Sequence, residues 1–517
     1  MKSSFFKNIF FLTYKTVFIC LFFFFCVHSP IKAQHRIPKR PMAALESGFY
    51  SIPDSIQTTV YWYWLSDHIS KKGVIKDLEA MKEVGINRAF IGNISLGETS
   101  DGPVKLFSNE WWDILHIALK TATRLGIEIG IFNCPGWSQS GGPWVKPEQS
   151  MRYLTSSEFV VEGPILIHKK LELPNPVFQD IKVIAYPAPR DFGTDSRDLK
   201  LKLSSSPSVE NLNRLVDKNE ETMIPFPKDK TFTLDFSSEQ SYTARSLSIY
   251  TAHIPTKLEG EVQVKINNHY QTLQHFIIDR SNPNIRNGFI PYGPATISIP
   301  ATTAKDFRLV LTGFSAKSGL AEIKFSSVPM VENYLEKTLA KMWPDAMVYW
   351  SAYQWLAQPI IDQQAYIINP AQVIDISKYL SSDGILNWKV PSGKWIIERT
   401  GMTPTLVKNA HATPEGRGLE TDKMSKKHIA SHFDAFLGEI MRRIPAEDRK
   451  TWKVTVVDSY EMGGQNWSDE MMINFKQAYG YDPLPYLPVF KGKVVGSADQ
   501  SDRFLWDVRR FVADHVA

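Results

Sequence analysis

Between Thr58 and Phe132 the hydrophobic pattern switches repeatedly between a period of two and a period of 3.6 residues, which sharply limits the folds open to the chain. Thr58 to Leu65 (Thr-Thr-Val-Tyr-Trp-Tyr-Trp-Leu) reads as a strand. Gly73 to Val84 has helical spacing, with Val74, Leu78 and Met81 on one face and Gly85 as its stop. Ile86 to Ile91 is a second strand, Glu110 to Leu125 a second amphipathic helix closed by Gly126, and Ile127 to Phe132 a third strand. Repeated β-α-β units with apolar strands imply a parallel sheet covered by helices.

Past about residue 160 the texture changes. Alternating runs recur at Thr231–Phe236, Leu247–Tyr250, Val262–Ile266, Ala295–Ile299 and Phe307–Leu311, with turn residues between them. That is the pattern of an antiparallel β-sandwich. After about residue 335 the mixed pattern returns. Lys394–Gly401 reads as a fourth barrel-type strand, Lys426–Arg443 as a long helix and Lys453–Val457 as a fifth strand. The expected fold is therefore α/β: a (β/α)8-type barrel, incomplete within this chain at about five strands (58–65, 86–91, 127–132, 394–401 and 453–457), with an inserted antiparallel β-sandwich. The divisions are 34–164 and 336–517 for the two parts of the barrel and 165–335 for the insertion. The last run, Ser501 to Ala517, is helical, with Phe504, Leu505, Val508, Phe511, Val512 and Val516 on one broad side. All 14 tryptophans lie before residue 145 or after residue 342, so the insertion reads as a spacer or wall and the aromatic chemistry belongs to the barrel.

Residues 1–33 have lysines at 2, 7 and 15, an apolar, Phe-rich run from Val17 to Val27 and an exit ending at Ala33, the layout of a secretory signal peptide. The run is short for a membrane span. A soluble product, periplasmic or secreted from a bacterium, is expected, with no membrane association once the signal is removed. Of the three cysteines, Cys20 and Cys26 lie in that segment, so the remainder keeps only Cys134 and can form no internal disulfide. The formal charge is +5, but residues 1–33 carry four lysines and no acid, which leaves the rest near +1. That balance gives no reason to expect a nucleic-acid partner.

The chemistry-bearing stretch is Trp452 to Trp467. A β-branched run ends in Asp458 and Glu461, Gly463 and Gly464 permit a tight turn, and Ser468 or Asp469 can cap a helix reaching about Tyr479. Carboxylates at the carboxyl end of a parallel strand are where barrel enzymes keep their acids. Gln465, Asn466 and Trp467 follow at once, residue types that grip sugar hydroxyls and ring faces. An isolated Asp-x-x-Glu would more often be a local cap and a solvated acid, and it is the following amides and Trp467 that favour the functional reading.

Three other loops bear on the site. Asn133 to Trp144 (Asn-Cys-Pro-Gly-Trp-Ser-Gln-Ser-Gly-Gly-Pro-Trp) is a shaped polar loop offering Asn133, Trp137 and Ser138, with Cys134 as a buried small residue. Asn409 to Asp422 offers His411, Glu415, Arg417, Glu420 and Asp422, which suit sugar hydroxyls or a helix cap better than a metal, since EF-hand spacing is absent. In Tyr61-Trp-Tyr-Trp64, followed by Asp67 and His68, one of Trp62 and Trp64 can line the barrel mouth, Trp64 being the choice here. Asn93, after the second strand, is a further candidate. No zinc spacing, phosphate loop, dinucleotide fingerprint or nucleophile elbow is present.

The segments Asp77–Ile86, Pro135–Trp144, Ala412–Glu420 and Asp458–Trp467 together resemble glycoside hydrolase family 106, the α-L-rhamnosidases, over nearly all of the chain after its leader. The resemblance implies a (β/α)8 barrel with accessory β-domains and calcium-assisted inversion acting on an oligosaccharide or polysaccharide such as a plant pectic glycan. The family's general acid matches Glu461. Its base and main calcium ligands belong to later strands that this sequence does not contain. Asn133, Trp137, Ser138, Glu415, Glu420, Asp458, Gln465, Asn466, Trp467 and Trp64 are then the expected substrate contacts. Two rival readings keep the same loops: a barrel glycosidase for another sugar, and a glycan-binding protein without turnover.

Overall fold

The computed structural model describes residues 42–50, 56–251, 254–281, 293–339, 354, 357–361 and 363–516. The leader expected at residues 1–33 lies outside them. Two units are distinguished, residues 1–57 and 58–517. The first contributes one described helix, Met42–Tyr50, on which Leu45, Phe49 and Tyr50 are exposed.

The second unit begins with the expected α/β alternation. Strands β1 (Thr59–Leu65), β2 (Arg88–Ile94) and β3 (Glu128–Phe132) pair in parallel, and Trp452–Val456 joins beside β3. Helix Lys71–Glu83 starts where the Ser70 hydroxyl accepts the Gly73 N–H (3.0 Å), and Asn109–Leu125 where Ser108 accepts that of Trp111 (3.2 Å). Each such cap contributes about 1 kcal/mol. Gly126, at φ +72, ends the second helix. Both helices bury Val74, Leu78, Trp111, Ile114 and Leu119 against Trp62, Trp64, Ile91 and Ile129 of the sheet. Phe436, Leu437 and Ile440 join the same core from the long helical segment 426–443, which runs α, π, α without a break.

Among the described residues the parallel sheet has four strands, which corrects the expected five. Lys394–Gly401 lies within Ile385–Pro404 and runs antiparallel to β4 (Arg152–Lys170) and β5 (Gln179–Pro187), in a second sheet edged by Ile374–Asp375. The reason for the misreading is physical. Ile396 packs into one core with Trp467, Phe475 and Phe504, while Ile397 packs into another with Trp388 and Val183 on the opposite face. A central antiparallel strand buried on both sides shows the unbroken apolar run usually associated with a parallel strand. Strand β4 carries the chain through residues 164 and 165 without interruption.

Six strands between residues 201 and 326 make a third, antiparallel sheet, in the order His269–Arg280, Thr256–Ile266, Ala295–Thr312, Thr231–Tyr250, Glu322–Ser326, with Leu201–Ser206 also on Thr231–Tyr250. The five alternating runs of the sequence fall in three long strands. Ala295–Thr312 pairs with Thr231–Tyr250 along most of its length, with register shifts between Ser298 and Thr302 and between Ala304 and Asp306. Such irregularities bend a strand, and both halves of each strand feed one core containing Phe232, Phe236, Leu247, Ile249, Ile297, Phe307 and Leu311. Helix Ala498–Val516 buries Phe504, Leu505, Val508, Phe511 and Val512 of the side read from its spacing, while Val516 is only half-buried.

Candidate functional site

The carboxyl ends of the four parallel strands lie side by side, and the loops leaving them hold most of the polar residues expected to act. The Asn133 N–H donates to the Val456 carbonyl (2.8 Å), extending the pairing of β3 with Trp452–Val456 one residue into the loops. Directly beyond Val456 come Asp458 and Glu461. The Ser459 N–H donates to Asp458 Oδ1 (2.7 Å), and the Ser459 hydroxyl lies 2.6 Å from Glu461 Oε1 and 3.3 Å from Asp458 Oδ1. One hydroxyl thus bridges two carboxyl groups. Glu461 is exposed, and Gly463, at φ +75, turns the chain so that its N–H returns to the Glu461 carbonyl (2.8 Å).

The loop after β3 is pinned to the loop after Ile385–Pro404. Trp137 N–H donates to Ala410 O (3.2 Å), Ala410 N–H to Ser138 Oγ (2.8 Å) and Ser95 N–H to His411 O (2.7 Å). A Cβ on Gly136 would overlap the Ala410 carbonyl, so the approach requires glycine there. The Trp137 ring lies 4.6 Å from that of His411 and edge-on to Tyr63 at 5.8 Å. Burial pushes the Tyr63 phenol above its usual range; Tyr61 and Asp458 add to this and the Trp137 indole opposes it. Tyr63, Trp137, His411, Asp458 and Glu461 are therefore the groups gathered around the strand ends. Tyr63 and His411 were visible in the sequence as members of motifs, but nothing in their spacing singled them out.

Other expected site residues take structural positions. Trp64, 3% exposed, lies in the helix-covered core against Trp111 and does not line an open mouth. Alternation places Trp62 and Trp64 together on one face, and the helices cover that face, leaving Tyr61 and Tyr63 on the other. Asn93 is buried and accepts the Trp111 indole N–H (3.0 Å). Asn133 donates to Gln139 O (3.2 Å), and Cys134 donates its thiol hydrogen to Ser138 O (2.9 Å) while burial pushes the thiol up. Glu415 is exposed near Asp67, whose carboxyl is pushed up to about 6 by burial and then by Glu415, with Lys105 opposing from 3.7 Å. Glu420 is buried, paired with Lys423 (2.7 Å) and Ser140 (3.2 Å).

Gln465, Asn466 and Trp467 are not available to a sugar. Gln465 accepts from the Lys423 N–H (2.8 Å) and donates to Asp422 (2.5 Å). Asn466 accepts from the Leu154 N–H (2.8 Å) and donates to Thr338 O (2.7 Å), and Trp467 packs in the core against Phe490. Ser468 and Asp469 do not cap the following helix, which runs Met471–Tyr479 from Glu470 with no side-chain cap. Ser468 donates to Asp422 (2.8 Å), and Asp469 accepts from Arg152 (2.7 Å) and pairs with His428 (2.7 Å). Contacts with His428 and Arg152 hold Asp469 well below the usual carboxylate range.

Asp422, His428 and Asp469 place ligand atoms within 4.8 Å of one another, the spacing of a metal centre. Arg152, 1% exposed, already joins both carboxylates: one guanidinium nitrogen is 2.8 Å from Asp422 and the other 2.7 Å from Asp469. Calcium takes six to eight oxygen ligands, whereas this group has two carboxylates, both engaged by a cation, and an imidazole. These residues do not fit the calcium that the family resemblance implies. They fit an ion network, centred on the buried Arg152, that fastens the 465–469 stretch to β4.

The model of glycoside hydrolase family 106, described as alpha-L-rhamnosidase, matches residues 50–517. A protein of Formosa agariphila described as "Putative beta-glucuronidase" is 29% identical over 487 residues, which cover 94% of this chain and 29% of the relative. The solved structure of a rhamnosidase from Novosphingobium sp. PP1Y superposes with a TM-score of 0.73 at 26% identity, covering 91% of this chain and 45% of that one. The chain spans less than half the length of either. With the family match taking in nearly every described residue, the chain belongs to glycoside hydrolase family 106, the α-L-rhamnosidase family.

Proposed function

We propose that the chain carries the acid-bearing part of an inverting glycosidase that removes terminal α-L-rhamnose from plant pectic or related glycans, with Glu461 as general acid. The observation that carries this is an exposed carboxyl group at the carboxyl end of a parallel sheet, bridged by Ser459 to a second carboxyl, that of Asp458. Inversion requires one carboxylic acid to protonate the leaving oxygen and one carboxylate to activate water on the opposite face, roughly 6.5–9.5 Å away. In this reading Asp458 stands too close to Glu461 through the Ser459 bridge for the second role. The base and any calcium ligands then belong on further strands of an eight-stranded barrel, to which the described residues of this chain contribute four. Calcium, when bound there, would supply positive charge beside the sugar. Export to the periplasm through residues 1–33 belongs to the same proposal, and cell fractionation checks it.

The names borne by the two relatives point to different sugars, a 6-deoxyhexose and a uronate. A uronate carboxylate needs a free cation at the site. Lys423 is held 2.7 Å from Glu420 with its side chain 3% exposed, while exposed Arg417 donates to the Ala412 carbonyl beside His411 (3.3 Å), so the choice between the two sugars falls to the aromatic surface. The Tyr63, Trp137 and His411 surface suits a neutral sugar with an apolar edge, which supports rhamnose. The test is hydrolysis of aryl α-L-rhamnoside, β-D-glucuronide, β-D-galactoside and α-L-fucoside by the protein in its complete encoded length. Release from the rhamnoside alone is expected. Preference for the glucuronide would replace the substrate, and binding of glycan with no release from any would replace the enzyme.

A further inference from the structure

His411 has a left-handed backbone, φ +59, which is unusual for a residue with a side chain. Such conformations cost free energy and persist where the surroundings over-determine them, often at binding sites. Here the surroundings are identifiable. Ser95 N–H holds the His411 carbonyl, Ser138 Oγ and Trp137 N–H hold Ala410 on one side, and Ala412 is fully buried on the other. Loops following β2, β3 and Ile385–Pro404 thus converge to fix one backbone unit. What they present is an exposed imidazole, its ring 4.6 Å from Trp137 and its nitrogens without a hydrogen-bond partner among the described residues. Trp137 in turn contacts Tyr63, which feels the charge of Asp458.

We propose that His411 and Trp137 form a rigid pyranose-binding subsite beside the acid loop, in which the imidazole reads sugar hydroxyls and the indole face receives the sugar's apolar edge. A neutral imidazole has one donor and one acceptor nitrogen, which suits hydroxyls that both give and take hydrogen bonds. The contact with the Trp137 ring and the fixed backbone limit where the imidazole can go, so less conformational freedom is lost on binding. A merely structural histidine would satisfy a nitrogen internally, as His428 does on Asp469 (2.7 Å) and His432 on the Trp144 indole N–H (3.0 Å). This inference rests on the glycosidase reading above, and the test separates the two.

The experiment is a histidine-labelled NMR titration of the protein with L-rhamnose, D-glucuronate and D-galactose, the His411 resonance being assigned by its loss in His411→Asn. Asparagine tolerates the left-handed backbone, so the Ser95 and Ala410 bonds should survive and the melting temperature should stay within ~2 °C. L-Rhamnose is expected to move the His411 resonance, and His411→Asn to weaken its binding about tenfold, the scale of a lost hydrogen bond. If glucuronate or galactose moves the resonance and rhamnose does not, the subsite stands and the rhamnoside reading falls. If none of the three moves it, or if His411→Asn binds as tightly as the parent, the subsite is overturned.

Discussion

The stretch from Asp458 to Asp469 divides into two halves that differ in almost every physical respect. The first, Asp458 to Glu461, is half-buried or exposed, and its side chains bond mainly to one another through Ser459. The second, Gln465 to Asp469, has four fully buried residues whose polar groups reach Asp422, Leu154 and Thr338, and it ends in Asp469, which accepts from Arg152. Between them lies the Gly463 turn. Free carboxyl groups can exchange protons with a substrate, and satisfied buried amides cannot. The comparison therefore supports the proposed chemistry in the first half and puts anchorage in the second, with Arg152 as the centre of the anchor.

The largest effect expected is on the chemical half. In the complete protein, Glu461→Gln should slow hydrolysis of the natural glycan on the order of 10²–10⁴-fold, the contribution of a general acid, with an unchanged melting temperature. Arg152→Met should do the opposite. It leaves the buried Asp422, and the more exposed Asp469, without their cation, at a cost of about 3–5 kcal/mol in denaturant unfolding. A loss under about 1 kcal/mol would mean that the network is not an anchor.

A smaller effect is expected at Asp67, at the end of β1. Its folded pKa of about 6 lies above the unfolded value of about 3.9. Folding therefore disfavours its ionised form, and stability falls as pH rises from about 4 through 6. Asp67→Asn should raise stability by about 1–3 kcal/mol at pH 8 and hardly change it at pH 3, measured by urea denaturation at both pH values. Destabilisation at pH 8 would show that the Lys105 contact outweighs burial. The smallest effect is the expected absence of one. Added calcium should not raise the melting temperature of this chain through the Asp422 cluster, and an upshift abolished by Asp469→Asn would show that a metal displaces Arg152.

The same contrast explains what was legible in the sequence. Asp458 and Glu461 could be placed because strand, carboxylates and glycines are contiguous, so local order fixes their position. The roles of Gln465, Asn466 and Trp467 could not be read that way, because burial is decided by partners far along the chain. Arg152 reaches partners 27, 270 and 317 residues away, a pattern that no local period carries. Trp64 illustrates a narrower limit: alternation says that Trp62 and Trp64 share a face, but not which face the helices cover. The parallel β-α repeats were legible throughout. Ile385–Pro404 was not, because cores on both of its sides remove the alternation that marks an antiparallel strand.

The central claim is that Glu461 donates the proton to the leaving group, and it is tested most directly by leaving-group dependence. Rates would be measured for the parent and Glu461→Gln across a series of aryl α-L-rhamnosides with leaving groups of falling pKa. If Glu461 is the acid, the variant should be impaired most on the poorest leaving group and approach the parent on the best, since an activated leaving group needs little protonation. A deficit of equal size across the series, or none on the poorest leaving group, would contradict the assignment.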